Sequence, residues 1–227
     1  MVVNMKAAKT ALLLILISMT IGEVTSLYSL LSSGFKLSSA VNYAPPAIIQ
    51  TVALLLEAAG VLILVASKRN KATITALIFL ALWAVLNFLV FLPLTLIGVR
   101  SGSLEAVKAA LLVKAVAATL QYAVPFLVVY SETKDFSRKI LWLALITVTI
   151  GGFMVTSTPI SSIKLKTVNT SKETLYIPVY RVNYTQWPYP LYLTLCHIGG
   201  ILYLITYALV IIKYRENSLS DRPENSS

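Results

Sequence analysis

Apolar residues along this chain run in six blocks, at about 10–31, 47–67, 72–99, 104–130, 140–160 and 191–212. Each is close to the roughly 20 residues that a helix needs to cross a hydrocarbon core. Short polar stretches rich in Lys and Arg separate them. Lys6 and Lys9 precede the first block, and Lys68-Arg69-Asn70-Lys71 divides the second from the third. Arg138-Lys139 precede the fifth, and Lys213-Tyr214-Arg215 close the last. Inside lipid no water is available to a backbone N–H or C=O, so an open chain must satisfy them within one segment, as helix. The pattern predicts an all-α membrane protein, a polytopic bundle of about six transmembrane helices. Pro45-Pro46 open the second block and Pro159 flanks the fifth. Pro93 is expected to kink or stop the third, and Pro125 to kink the fourth.

Block one has a second reading. Two lysines, an apolar run over 11–21 and small residues near Ser26 also describe a cleaved signal peptide covering residues 1–26. Against it, the apolar run continues through Leu30 and Leu31, beyond the 7–15 residues of such a region, and no A-x-A site is present.

Residues 161–188 follow a different period. Ile163 and Leu165 interleave with Lys164 and Lys166, and Leu175, Ile177 and Val179 alternate with Tyr176, Pro178 and Tyr180. Period-two alternation on both sides of Asn169-Thr170-Ser171-Lys172 predicts a small β-hairpin in the last external loop. Pro178 restricts its strand to an edge. The nearby Tyr176, Tyr180, Tyr184, Trp187, Tyr189 and Tyr192 fit an aromatic belt at a membrane surface.

Composition narrows the class. The 227 residues are 57% apolar and 12% charged, about half the charged fraction of an ordinary soluble domain. One bundle, 1–215, uses nearly the whole chain, and the polar stretch 216–227 is expected to be a disordered cytoplasmic tail. The net charge of +10 does not imply nucleic acid, because the basic residues sit beside apolar blocks. There they set topology and meet anionic headgroups.

Counting Lys and Arg places the N- and C-termini in the cytoplasm of a multi-pass cell-membrane protein, with loop 161–188 external. Asn169 and Asn183 head glycosylation sequons on that external side. Asn225 heads a third on the cytoplasmic tail, where it should be inert.

Ionisable side chains within a span mark candidate sites, because burying them in hydrocarbon is unfavourable unless they are paired or hydrated. Glu57 stands roughly 16 Å above Lys68 at helical rise, near mid-membrane. Gln50, Ala53, Glu57 and Gly60 share its face. Glu23, Asn87, Lys114 and His197 fall at similar heights of about 21–25 Å in four different spans. Lys114, Ala118, Gln121 and Pro125 form an inward stripe on helix four. These residues predict a vestibule opening outward, with a Glu23–Lys114 pair, His197 and Asn87 nearby and Glu57 at the base.

Each has a plainer reading. Glu57 fits a neutral carboxyl bonded across two helices. Lys114 can snorkel to the headgroups, and His197 can sit at the interface beside Pro190.

Several enzyme and cofactor classes fail on inventory, which leaves a membrane enzyme as a third and weaker reading. A single cysteine, Cys196, excludes an intrachain disulfide and a CxxC site. One histidine cannot give bis-histidine haem ligation. HExxH, a Gly-rich phosphate loop and GxSxG are all absent. Cys196 and His197 are helix neighbours that diverge by about 100°, so they form no nucleophile–base pair. No catalytic residue, metal or cofactor is expected.

Two functions from different classes stand ahead of an enzyme. The first is a small transporter, channel or substrate-binding membrane subunit, whose polar pathway uses Glu57, Glu23, Lys114, His197, Asn87 and Gln121. Kinks at Pro93 and Pro125 and the Gly151-Gly152 pair would give its helices room to rearrange. The second is a non-enzymatic assembly or scaffold subunit of a larger secretion, translocation or respiratory complex. In both, the expected partners are the lipid bilayer and other membrane subunits or further copies of the chain.

Overall fold

A computed structural model describes residues 5–38, 44–170 and 173–220. Helices dominate: α1 (Met5–Ser32), α2 (Ala44–Ser67), α3 (Lys71–Val85), α4 (Leu92–Ser101), α5 (Leu104–Tyr130), α6 (Asp135–Ser157), the single turn α7 (Pro159–Ser162) and α8 (Tyr189–Ser220). A π-helical stretch, Leu86–Phe91, joins α3 to α4. Five helical segments are long and apolar enough to cross a membrane: Lys6–Ser32, Lys71–Ser101, Leu104–Tyr130, Asp135–Ser162 and Tyr189–Tyr214. Helix α2, 24 residues in all, adds a shorter apolar segment, Thr51–Ser67.

The helices close into a ring in chain order. Each packs on the next, from α1 on α2 and α2 on α3 to α6 on α8, and α8 returns to α1. The tightest seam joins α6 and α8, and glycine makes it possible. A Cβ on Gly151 would stand 2.7 Å from the Tyr192 carbonyl oxygen, and one on Gly199 would stand 2.6 Å from Val148 Cβ. Small residues let two helix backbones approach where no side chain fits. Gly151 thus packs α6 on α8, and its neighbour Gly152 packs on the Tyr122 ring of α5.

Local chemistry sets the turns. Asn70 caps α3, its side chain accepting from the Thr73 N–H while Thr73 Oγ1 accepts from the Asn70 N–H. At the opposite end Gly102, at φ +70°, terminates α4 and Ser103 caps α5. The α2–α3 and α5–α6 turns are tied by a Lys68–Glu132 ion pair. Beside it, Arg138 donates to the Thr133 carbonyl at 2.7 Å and lies over the Tyr130 ring.

Pro93 and Pro125 both sit within continuous helix. The third helix does not stop at Pro93. Proline lacks an N–H and its ring crowds the carbonyl four residues back, and the turn before it widens to π spacing, with Leu92 N–H donating to the Asn87 carbonyl. Helix α5 likewise runs unbroken through Pro125. Two tyrosines one turn apart on α8 bond to carbonyls of the proline's turn: Tyr203 Oη donates to Tyr122 O at 2.8 Å, and Tyr207 Oη to Pro125 O at 3.0 Å.

Four short strands cover one end of the ring. Strand β2 (Lys164–Asn169) pairs antiparallel with β3 (Thr174–Val179), from Lys164 opposite Val179 to Asn169 opposite Thr174. This is the hairpin that the alternation predicts. A second pair, β1 (Lys36–Ser38) with β4 (Arg181–Asn183), has no counterpart in the sequence expectations. Tyr176 of β3 rests on Gly102, where a Cβ would meet its ring at 3.0 Å. Of the sequons, Asn169 and Asn183 lie in these strands, and Asn225 lies outside the described residues. Helix α8 extends to Ser220, and residues 221–227 lie outside the described residues.

The core mixes alanine and β-branched side chains with leucine, phenylalanine and tyrosine. Ala8, Ala11, Leu12 and Ile15 of α1 are fully buried beside Val61 of α2 and Tyr207 of α8. Outward-facing positions are apolar too: Leu62, Phe88, Leu89, Ile146 and Ile201 are each at least half exposed.

Candidate functional site

A cavity of about 790 Å³ lies inside the ring, lined from α1, α2, α3 with the π-helical stretch, α5, α6 and α8. That volume falls in the range of about 300–1,000 Å³ that holds small-molecule ligands. Glu57, Glu23, Lys114, His197, Asn87 and Gln121 all line it. Their shared helix heights therefore coincide with a shared inward direction.

The pairings differ from those expected from height alone. Glu23 meets His197, not Lys114: Glu23 Oε2 stands 2.7 Å from His197 Nδ1. Both side chains are less than one-fifth exposed. Gly200, one turn beyond His197, makes space for the carboxylate, since a Cβ there would overlap Glu23 Oε1.

Lys114 points its Nζ over the Phe91 ring, 5.6 Å from the centroid. An aromatic face attracts a cation by its quadrupole, though less strongly than a carboxylate does. Among the described residues, Lys114 makes no ion pair.

Glu57 is almost fully buried, at 4% exposure. Gln121 Nε2 donates to its Oε2 at 3.3 Å. Lys114 and Gln121 are two helical turns apart on α5, so the cation and the Glu57–Gln121 contact are separated by roughly 10 Å along the helix. Asn87 turns back on its own helix, Nδ2 donating to the Trp83 carbonyl at 2.9 Å. It thus supports the π-helical stretch as well as lining the wall.

Other expected neighbours of these residues fall into place around the cavity. Ala118 and Pro125 of the α5 stripe line it, as does Ala53 of the α2 stripe. Gly60 packs on α1, where a Cβ would stand 2.8 Å from the Ala11 carbonyl. The side chain of Gln50 lies outside the described residues.

Several lining residues carried no signal strong enough to be chosen from sequence. Trp83, Phe88 and Phe91 form an aromatic wall, with Trp83 and Phe88 edge to face at 6.4 Å. In an apolar block they are indistinguishable from lipid-facing side chains, although Trp83 and Asn87 do share a face. Ser18 bonds across to α2, donating to Ala53 O at 2.6 Å. Cys196, the sole cysteine, also lines the cavity.

Tyrosines after β4 and at the start of α8 contact one another and do not line the cavity. Tyr184, Tyr189 and Tyr192 make a chain of edge contacts at 6.1 and 6.3 Å.

Fold and cavity together define a class: a helical bundle, most of its helices long and apolar enough to span a membrane, closed around a void with polar and aromatic walls. The chain shows no significant match to any protein-family model, curated protein or solved structure.

Proposed function

We propose that this chain is a six-pass integral membrane protein of the cell membrane. Its termini are cytoplasmic, its strand layer is external, and its cavity is the substrate site of a small transporter or substrate-binding membrane subunit. The sixth span is α2, whose 24 residues exceed the roughly 20 required. The outward apolar side chains support insertion, since a water-soluble bundle would not expose so continuous a belt. The Lys and Arg distribution supports the orientation.

One observation carries the transport reading. Glu23, Glu57, Lys114, Gln121 and His197 converge on one cavity from four separate helices. Glu23–His197 and Glu57–Gln121 join helices as an assembly role would also require, but Lys114 faces the void with no ion pair among the described residues, as a binding site would need. Glu57 is the group best placed to take up and release a proton, being buried and held by a neutral amide. Pro93 and the π-helical stretch put irregular backbone at the cavity wall, where transporters commonly bind substrate.

The test is Glu57→Gln in proteoliposomes with an entrapped pH indicator. The amide keeps the shape and a hydrogen bond to Gln121 but cannot titrate. The expected result is unchanged incorporation with proton flux reduced at least tenfold. Unchanged flux would sink the pathway role of Glu57. Reduced recovery of a co-purifying subunit, with flux absent in both forms, would favour the assembly role instead.

A further inference from the structure

The cavity wall is incomplete on one side. Helix α2 leaves α3 at the turn after Ser67, and it makes no more than marginal contact with the π-helical stretch, α4 or α5. Yet α2 and the π-helical stretch both contribute lining residues. Five lining residues are exposed as well: Thr51 on α2, Phe88 in the π-helical stretch, Leu92 on α4, Ser26 on α1 and Lys114 on α5. A residue that both lines a void and faces outward marks a mouth. Between α2 and the π-helical stretch the exposed neighbours in sequence, Ile48 and Leu89, are apolar, so that part of the opening would face lipid in a membrane.

Charge inside the cavity is unequal. Glu23 and His197 satisfy one another at 2.7 Å, and Glu57 is buried against Gln121. Lys114 has only the Phe91 ring and no ion pair among the described residues. Trp83, Phe88 and Phe91 supply an apolar wall beside it. An anionic head would gain a charge-assisted bond from Lys114, while a tail would bury apolar area against the rings.

We propose that the cavity takes a single-tailed anionic amphiphile, a carboxylate or phosphate monoester, entering sideways from the bilayer between α2 and the π-helical stretch. Its head binds Lys114 and its tail lies along Trp83, Phe88 and Phe91. This rests on the reading of the cavity as a substrate site, and it names the substrate class.

Trp83 is the natural reporter once Trp142 and Trp187 are replaced by Phe. The protein is reconstituted in phosphatidylcholine vesicles and titrated with 9,10-dibromostearate or with its methyl ester, which lacks the charge. Saturable quenching by the acid is expected, with the ester quenching only weakly and without saturation. Lys114→Gln should weaken the acid at least tenfold, while Lys114→Arg retains it. A bromine-free phosphate monoester of similar chain length should relieve the quenching, and inorganic phosphate should not. Relief by inorganic phosphate alone would mean a free-anion site and overturn the amphiphile. Equal quenching by acid and ester, unaffected by Lys114→Gln, would overturn the proposal altogether.

Cys196 separates failure of the ligand class from failure of the cavity. If a small membrane-permeant thiol reagent modifies Cys196 while dibromostearate shows no saturable quenching, the substrate class is wrong and the open site stands. An unreactive Cys196 without saturable quenching removes both.

Discussion

Glu23 of α1 and His197 of α8 lie 174 positions apart in the chain and 2.7 Å apart in the fold. Their contact joins the first helix to the last and closes the ring at the cavity wall. Gly200 is the third partner, because any side chain there would occupy the place of the carboxylate.

Substitution at that contact should be non-additive. Gly200→Ala is expected to displace Glu23 and lower stability by roughly 1–3 kcal/mol, the range for losing a charged hydrogen bond. Combined with Glu23→Ala, the added methyl meets no carboxylate, so the double variant should be more stable than the sum of the singles by about 1 kcal/mol. Thermal unfolding in mild detergent reads the cycle. Strict additivity would show that Gly200 is not there for Glu23.

The tyrosine pair on α8 predicts a graded response. Tyr207→Phe removes a donor from a fully buried contact with Pro125 O, and should cost about 1 kcal/mol. Tyr203→Phe removes the bond to Tyr122 O and should cost no more. Loss of helix-8 tyrosine hydroxyls without any change in unfolding midpoint would mean that these carbonyls are satisfied otherwise.

At the opposite end, Lys68 and Glu132 couple two turns. The pair is partly exposed, which limits its worth to about 1 kcal/mol or less. Glu132→Gln should therefore lower stability slightly, and the loss should shrink as salt rises. A salt-independent effect above 3 kcal/mol would indicate a buried charge instead.

Orientation has its own measurement. In a Cys196→Ala background, cysteines placed at Arg69 and Glu173 should react from opposite faces of the membrane in intact cells. Glu173→Cys is expected to label directly with an impermeant maleimide, and Arg69→Cys only after permeabilisation. Labelling of both from one face would contradict a six-pass arrangement.

Much of the architecture was legible in the residue pattern because it rests on local rules. Block length and the need to satisfy backbone groups point to helices, and these form where the apolar blocks lie. The period-two alternation over 163–180 identifies β2 and β3, whose partners are close in sequence. Strands β1 and β4 escaped notice because each is three residues long, too short to display a period. Their pairing also spans more than 140 positions of chain. Pro93 does not stop its helix, since a widened turn absorbs the missing donor without ending it.

The candidate residues separate the two levels more sharply. By itself, the sequence determined which spans carry an ionisable or amide group and at what height, because rise along a helix is a local constant of 1.5 Å per residue. Only the tertiary structure decided partnership. Glu23, Lys114 and His197 share a level, and nothing in the chain says which two will touch. That depends on helix order around the ring and the rotation of each helix about its axis. Both are settled by packing between distant segments, such as the glycine-lined α6–α8 seam that sets α8 beside α6 and the ring closure that brings it to α1. The same packing left Lys114 facing a ring instead of a carboxylate, and left a cavity where the helices do not meet.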